Sequence, residues 1–225
     1  MIKKSEFDRQ QLIGWWGLLA VIAMLVKSQS NVLFSFDQDG LVTVHQFLQP
    51  SQISLFKWLA LSGSPVVTTI AIIGIAGWLL HRNQPILSLI AVTTIVGGDI
   101  LTLFIKEAIQ RPRPAFELVR ETGFSFPSGH VFGATILAIL IWQLLIPRIG
   151  QIQFKLFFLL LLIYWVGLVA ISRIYLQVHF PSDVIGGFVL AQAWWQTVKM
   201  GYLRWEQQIL TTVNQLTRSN PKQLR

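Results

Sequence analysis

Cysteine is absent from this 225-residue chain, and charged side chains are scarce in it. Without cysteine the chain has no disulfide bond, no thiolate nucleophile and no thiolate metal site, and its redox compartment stays undetermined. Charged residues make up 12% of the sequence, whereas soluble domains carry about 25%. Hydrophobic residues make up 53%. This composition indicates an integral membrane protein.

Acidic residues are also few, 10 against 18 lysines and arginines, so the formal net charge is +8. A basic chain can attract nucleic acid, but these basic residues are scattered between apolar stretches and no nucleic-acid-binding motif is visible. Anionic lipid headgroups and placement in inner loops explain them better. We therefore expect the lipid bilayer, and no nucleic acid, as the partner.

Six segments are apolar enough, and about long enough, to cross ~30 Å of hydrocarbon. The predicted fold class is therefore all-α: an integral membrane bundle of six transmembrane helices in a single domain, residues 1–225. The segments are residues 12–27, 65–81, 85–106, 129–146, 154–172 and 183–201.

Three stretches outside the apolar cores complete this organisation. Basic residues precede the first segment as in a signal peptide, but no small-x-small cleavage site follows, so we expect a retained transmembrane helix. Within the linking region 28–64, residues 41–48 and 53–61 predict short amphipathic helices in the membrane interface. Residues 202–225 are polar with a weak helical period and predict a cytoplasmic surface tail.

Polar clusters lie where the third segment ends, where the fourth begins and where the fifth ends. Such residues are costly near a membrane and are therefore informative. Because successive helices run in opposite directions, all three clusters are predicted to lie on one side of the membrane. The clusters are residues 106–114 with Lys106, Arg113 and Pro114, residues 127–130 with Ser128, Gly129 and His130, and residues 172–183 with Arg173, His179 and Asp183.

The basic members of these clusters favour an anionic ligand. Lys106, Arg113 and Arg173 have no aspartate partner nearby in the sequence, and guanidinium forks with an ammonium group suit a phosphate. Ser128 is a good N-cap residue, and Gly129 lets the backbone approach a ligand closely. The free N–H groups of that helix start would add to the anion site.

Two histidines and one carboxylate supply the chemistry. Pro181 suits the first turn of the last helix, which places Asp183 in that turn and close to His179. A carboxylate on one ring nitrogen fixes the tautomer and leaves the other nitrogen free as a nucleophile. His130 would lie beside the bound anion. The combination favours phosphoryl transfer through a phosphohistidine.

These residues resemble the signature of the type 2 phosphatidic acid phosphatase family of integral-membrane enzymes. The family pattern has Lys, six residues and Arg-Pro; then Pro-Ser-Gly-His; then Ser-Arg, five residues, His, three residues and Asp. Every spacing matches between Lys106 and Asp183.

The resemblance implies a role for each matched residue. It implies that His179 is the nucleophile, that Asp183 orients it, and that His130 is first the acid and then the base. The residues implied to hold the phosphate are Lys106, Arg113, Ser128, Gly129 and Arg173. Its bacterial members of this size act on phosphatidic acid, phosphatidylglycerol phosphate or undecaprenyl pyrophosphate.

We expect no metal and no other cofactor, since a two-metal phosphatase needs several clustered carboxylates and the predicted site offers only Asp183. Three alternatives stay open: a phosphotransferase acting between lipids, a haloperoxidase sharing the motifs, and a non-enzymatic lipid transporter. The lipid and the oligomeric state are not determined. Asp99, mid-membrane in the third segment, is interpreted as a protonated packing residue bonded to a neighbouring helix, with an indirect influence on the active site as the alternative.

The positions of the basic residues predict the orientation. With both termini in the cytoplasm, 11 of the 18 basic residues lie inside, which follows the positive-inside rule. The clusters and the active site then lie on the outer face of the cell membrane.

Overall fold

The computed structural model describes residues 6–47 and 49–219, and within these ranges the chain is helical with no strand. Eight α-helices form the structure. In chain order they are α1 Glu6–Lys27, α2 Asn31–Phe47, α3 Ile53–Ser62, α4 Pro65–His81, α5 Pro85–Ile109, α6 Gly129–Leu140, α7 Ile152–Tyr175 and α8 Pro181–Ser219. The predicted all-α class is confirmed.

Local sequence explains where several of these helices begin and end. Pro65, Pro85 and Pro181 each occupy the first helical position, where the missing N–H costs nothing. Ser64 caps α4 by accepting a hydrogen bond from the Val67 amide at 3.3 Å. The last turn of α5 is closed by Gln110 in the left-handed conformation, with φ of 56°. That turn directs the chain into the loop that carries the first motif.

Five runs in the described residues are long and apolar enough to cross a membrane, and the chain is a multi-pass membrane protein. They are Arg9–Lys27, Ile53–His81 (α3 and α4 together), Pro85–Ile109, Gly129–Arg148 and Ile152–Tyr175. The run Gly129–Arg148 continues α6 through a π-helical turn and a 3₁₀ turn. The predicted segment 183–201 is not in this set, so a count of six stays a prediction.

The low hydropathy of α8 follows from its place inside the bundle. Its Leu190 is fully buried. Polar side chains on the same helix bond to α1: Trp16 Nε1 donates to Thr197 Oγ1 at 3.0 Å, and Gln196 Nε2 donates to Gln11 Oε1 at 2.8 Å. Helices that meet protein rather than lipid can carry such polar groups. By contrast α7 exposes Phe157, Leu160 and Ile163, as a lipid-facing helix does.

Two boundaries differ from the prediction. The helix expected at 41–48 begins at Asn31 as α2, because its first half packs on α8: Gly40 lies against the ring of Pro181, where a Cβ would clash. This contact outweighs the poor helix propensity of glycine. The tail expected at 202–225 continues α8 without a break to Ser219. Residues 220–225 of that prediction lie outside the described residues.

Asp99 lies on α5 and bonds to the neighbouring helix α4. Thr69 Oγ1 donates to Asp99 Oδ2 at 3.2 Å. This hydrogen bond is of the interhelical kind expected for a polar residue in mid-membrane. The hydrogen bond to α4 supports the packing interpretation of Asp99.

Candidate active site

The three polar clusters meet at one end of the bundle, where α5 ends, α6 begins, α7 ends and α8 begins. Lys106 Nζ donates to the carbonyl oxygen of Phe124 at 2.5 Å, which ties the end of α5 to the loop before α6. The amide of Ser128 donates to the carbonyl oxygen of Asp183 at 3.0 Å. The structure therefore brings together the residues that the sequence assigns to one site.

Arg113 is held by backbone carbonyls on two sides. Its Nε and Nη2 donate to Gly123 and Thr122 at 3.1 and 3.0 Å, and its Nη1 donates to Val178 at 2.8 Å. The same Nη1 lies 3.4 Å from Nε2 of His179. These bonds fix the guanidinium directly in front of the imidazole nitrogen.

Arg173 is also buried, with 2% of its surface exposed. Its Nη2 donates to Glu121 Oε1 at 2.5 Å, and Arg113 Nη2 lies 3.8 Å from Glu121 Oε2. The sequence analysis found no aspartate near these cations, but a glutamate of the loop before α6 bridges both. Burial alone raises the pKa of Glu121, yet the charge and hydrogen bond of Arg173 leave that pKa below its ordinary value.

His179 and Asp183 approach each other less closely than expected. His179 Nδ1 lies 3.6 Å from Asp183 Oδ2, which is beyond hydrogen-bond distance, and within the part of the chain that the structure describes this buried Nδ1 has no hydrogen-bond partner. Asp183 Oδ2 accepts from the Phe180 amide at 2.8 Å instead. The predicted oriented pair is therefore adjacent but not bonded.

The electrostatic surroundings of His179 favour its neutral form. Burial lowers the pKa of His179 well below its ordinary value of 6.5, and the positive charges of Arg173, Lys106 and Arg113 lower it further. A neutral imidazole has a lone pair on one nitrogen. With Nδ1–H toward Asp183, that lone pair lies on Nε2, facing Arg113.

The start of α6 places His130 among the same groups. Gly129 is the first residue of α6, and a Cβ there would meet only Pro65, at 3.7 Å. Ser128 is at the N-cap position, as its residue type suggests, but its buried hydroxyl has no hydrogen-bond partner among the described residues. His130 is partly buried and within electrostatic range of His179, Arg173 and Glu121.

Close backbone contact between α6 and α8 holds this arrangement together. A Cβ on Gly187 would clash with the carbonyl oxygen of Ser128. Glycine is therefore required there because it alone lets the two backbones approach so closely. The contact lies one helical turn beyond Asp183 and supports the hydrogen bond between the Ser128 amide and the Asp183 carbonyl.

Sequence reasoning missed two further residues of the site. Arg111 Nη1 donates to Asp183 Oδ1 at 2.6 Å, and Arg111 Nη2 donates to Asp37 Oδ2 at 2.5 Å. Arg111 precedes the matched Arg113 by two positions. Counting every basic residue of this loop, and not only the matched one, would have indicated Arg111 as a candidate. No pattern in the sequence signals Asp37, which lies on α2 and is fully buried.

A cavity of about 740 Å³ lies between α6, α7 and α8. Most of its lining is apolar and includes Val166, Phe188 and Trp195. No residue of the three clusters is among its lining residues in the described part of the chain, but Val131 and Val184, which line it, directly follow His130 and Asp183 in the sequence. The cavity is thus an apolar space near the charged end of the bundle.

Comparison with known proteins identifies the family. The model of the PAP2 superfamily matches residues 87–206, which is more than half of the chain and includes all three clusters. The chain belongs to the PAP2 superfamily. This membership agrees with the resemblance seen in the motif spacing.

The PAP2 chain is similar to proteins that are named as phosphatases. It is 41% identical to phosphatidylglycerophosphatase B of Bacillus subtilis over 100 residues, which is 43% of this chain and 49% of that protein. It is 35% identical to sphingosine-1-phosphate phosphatase 1 of Rattus norvegicus over 91 residues, which is 37% of this chain and 20% of that protein. The PAP2 chain thus aligns with half or less of the length of these relatives.

Solved structures share the fold of this PAP2 chain. A transmembrane PAP2-type phosphatidylglycerolphosphate phosphatase from Bacillus subtilis superposes with a TM-score of 0.73 at 26% identity, covering 86% of this chain and 96% of that one. LpxE of Aquifex aeolicus superposes with a TM-score of 0.56 at 21% identity, covering 74% and 95%. The predicted membrane-bundle architecture is confirmed.

Proposed function

We propose that this PAP2 protein is a membrane lipid phosphate phosphatase that hydrolyses a phosphomonoester through a phosphohistidine on His179. The observation that carries the proposal is the position of His179 Nε2, 3.4 Å from Arg113 Nη1, on a buried imidazole surrounded by positive charge. A neutral nitrogen facing cationic donors suits attack on an anionic phosphorus centre.

The first step transfers the phosphoryl group to the enzyme. The Nε2 lone pair of His179 attacks phosphorus and the bond from phosphorus to the lipid oxygen breaks. His130, which takes up a proton when the phosphate anion binds beside it, gives that proton to the lipid oxygen. Arg113, Arg173 and Lys106 stabilise the negative charge on the three non-bridging oxygens. Glu121 must leave Arg173 for the phosphate to take its place.

The second step releases phosphate. His130, now neutral, accepts a proton from a water molecule while the water oxygen attacks the phosphorus of the phosphohistidine. The N–P bond breaks and its electron pair returns to Nε2. Inorganic phosphate leaves, and both histidines regain their starting protonation states. The Asp183 carboxylate lies next to Nδ1 of His179 in both steps. Its negative charge favours the imidazole tautomer that carries its proton on Nδ1.

The apolar cavity supports a lipid as the substrate. Because Val131 and Val184, the sequence neighbours of His130 and Asp183, line it, a lipid whose phosphate lies in the site would have an apolar space for a hydrocarbon chain between α6, α7 and α8. Two similar proteins are named for phosphomonoesters of lipids, which favours a phosphomonoester over undecaprenyl pyrophosphate. Phosphatidic acid and phosphatidylglycerol phosphate are the substrates we propose to test first.

We also propose that the site opens on the outer face of the cell membrane, with both termini in the cytoplasm. The support is the distribution of basic residues in the sequence. This orientation places 11 of the 18 basic residues inside and 7 outside. Three of those 7, Lys106, Arg113 and Arg173, are proposed to bind the phosphate. The motif clusters lie together at one end of the bundle, so one orientation places all of them outside.

Phosphate release from these two lipids, and from undecaprenyl pyrophosphate, in detergent micelles tests the proposal. We expect turnover of a phosphomonoester by the wild type and a loss of roughly 10⁴-fold or more in His179→Ala, as for other enzymes without their nucleophile. His81→Ala, which changes an exposed histidine at the end of α4, is the matched control and should keep its activity. If His179→Ala kept a tenth of the wild-type activity, a phosphohistidine intermediate on His179 would be excluded.

A further inference from the structure

Asp37 is a fully buried carboxylate on α2, and among the described residues it accepts hydrogen bonds from Arg111 and from Ser182, the neighbour of Asp183. Its Oδ1 accepts from the Ser182 amide at 2.9 Å, and its Oδ2 accepts from the Ser182 hydroxyl at 2.7 Å. Oδ2 also accepts from Arg111 Nη2 at 2.5 Å. Asp37 therefore bonds to the first turn of α8 from another helix and to the loop after α5.

Arg111 bridges this carboxylate and that of Asp183. Its Nη2 donates to Asp37, and its Nη1 donates to Asp183 Oδ1 at 2.6 Å and to the Ser182 hydroxyl at 2.7 Å. The guanidinium also lies over the ring of Phe180, 4.2 Å from its centroid. One cation thus lies between two buried anions, and its planar fork holds both at fixed angles.

These bonds determine how Asp183 is presented to His179. Arg111 occupies Oδ1, and the Phe180 amide occupies Oδ2, so the carboxylate group cannot rotate without losing one of them. Its Oδ2 is thereby kept at 3.6 Å from His179 Nδ1. Asp37 acts one step further out, because it fixes the guanidinium that fixes Asp183.

We propose that Asp37 and Arg111 are positioning residues for the reaction and act through Asp183 on His179. This inference rests on the proposed function, since it assumes that His179 is the nucleophile. Neither residue would touch the substrate. Removing either one would leave the phosphate-binding cations in place but release the Asp183 carboxylate, so the chemical step would slow while substrate binding changed little.

Asp37→Asn and Arg111→Lys test the positioning role. Asn keeps the shape of Asp37 and an oxygen for the Ser182 amide, whereas Lys keeps the charge of Arg111 but not its fork. We expect each change to lower kcat by about 10- to 100-fold, the usual cost of removing an outer partner of an oriented histidine, and to leave KM within about twofold. Leu190→Ala, a buried change in α8 away from the site, is the control for lost stability and should not lower kcat below its Tm.

A double-mutant cycle separates positioning from a merely structural contact. If Asp37 acts through Asp183, the Asp37→Asn change should lower kcat by about 10- to 100-fold when Asp183 is present. In a protein that already carries Asp183→Asn, the same change should lower kcat by no more than about twofold, because the effects of coupled residues on kcat are not additive. Equal losses in the two backgrounds, or an unchanged kcat in both Asp37→Asn and Arg111→Lys, would overturn the inference and leave the phosphohistidine intact. Activity retained in His179→Ala would instead overturn the proposed function.

Discussion

Glu121 lies on the guanidinium of Arg173, with 2.5 Å between Oε1 and Nη2, at the position where the mechanism requires a phosphate oxygen. The carboxylate bridges Arg173 and Arg113, two of the residues that the motifs assign to phosphate binding. Under the proposed mechanism an anionic substrate would compete with this side chain of the protein.

Removing the charge of Glu121 should strengthen anion binding. In Glu121→Gln the substrate no longer displaces a carboxylate, and an ion pair of this partly exposed kind contributes about 1 kcal/mol. We expect the inhibition constant of orthovanadate, a phosphate mimic, to fall about fivefold. Glu117→Gln, the control in the same loop, changes a carboxylate 3.9 Å from Arg113 and does not touch Arg173, so its effect should be smaller. Weaker vanadate inhibition in Glu121→Gln would contradict the competition.

Arg113 should be needed for turnover in a way that its loop neighbour is not. Loss of one preorganised donor to a developing anion costs about 10²–10³ in kcat, and we expect this for Arg113→Ala. Arg113→Lys should recover only part of it, because the lysine lacks the fork that bonds Gly123, Thr122 and Val178. The exposed Arg120 provides the control: Arg120→Ala should stay within about twofold of wild type. Equal losses in the two alanine variants would argue against a specific role.

The pH dependence of stability should carry a contribution from His179. Because burial and nearby cations lower its folded pKa below the ordinary 6.5, the unfolded chain binds a proton below that pH that the folded chain does not. Stability from this residue is therefore present above pH 6.5 and lost as the pH falls. The slope approaches ~1.4 kcal/mol per pH unit for one proton. Tm measured in detergent between pH 6.5 and 5.5 should fall more steeply for the wild type than for His179→Asn, and parallel curves would refute the assignment.

Chelation should leave the activity unchanged. Among the described residues, no group of three or more histidine, aspartate or glutamate side chains could hold a metal ion, and the basic side chains supply the electrostatic stabilisation instead. We expect full phosphate release in EDTA. Loss of activity in EDTA together with recovery in Mg²⁺ would show that the basic residues do not suffice.

The absence of cysteine makes the orientation directly testable. Phe116→Cys lies in the loop before α6, where the native side chain is 80% exposed, and Gln151→Cys lies in the exposed turn before α7. A membrane-impermeant maleimide should label the first variant in intact cells and the second only after lysis. The reverse pattern would place the site in the cytoplasm.

The sequence predicted the residues of the site better than their contacts. Spacing in the sequence predicted a common site for Lys106, Arg113, His130 and Arg173. Successive antiparallel helices bring the ends that carry these residues to the same side of the membrane. Asp37 could not be found in this way, since its role depends on the packing of α2 on α8 and leaves no periodic pattern. Hydropathy predicted a segment within each of the five membrane-length runs and a sixth at residues 183–201 of α8, where polar groups bond to α1.

The contact of Gly187 with the Ser128 carbonyl also bears on how the protein is made. Synthesis proceeds from the N-terminus, so α6 leaves the ribosome well before α8. Until α8 enters the bundle, the start of α6 lacks the Asp183 carbonyl that accepts from Ser128, and His179 and Asp183 themselves have yet to be placed. A nascent chain that stops before α8 therefore contains the proposed phosphate-binding cations and His179 but lacks Asp183. We expect hydrolysis to begin only once α8 has joined the bundle.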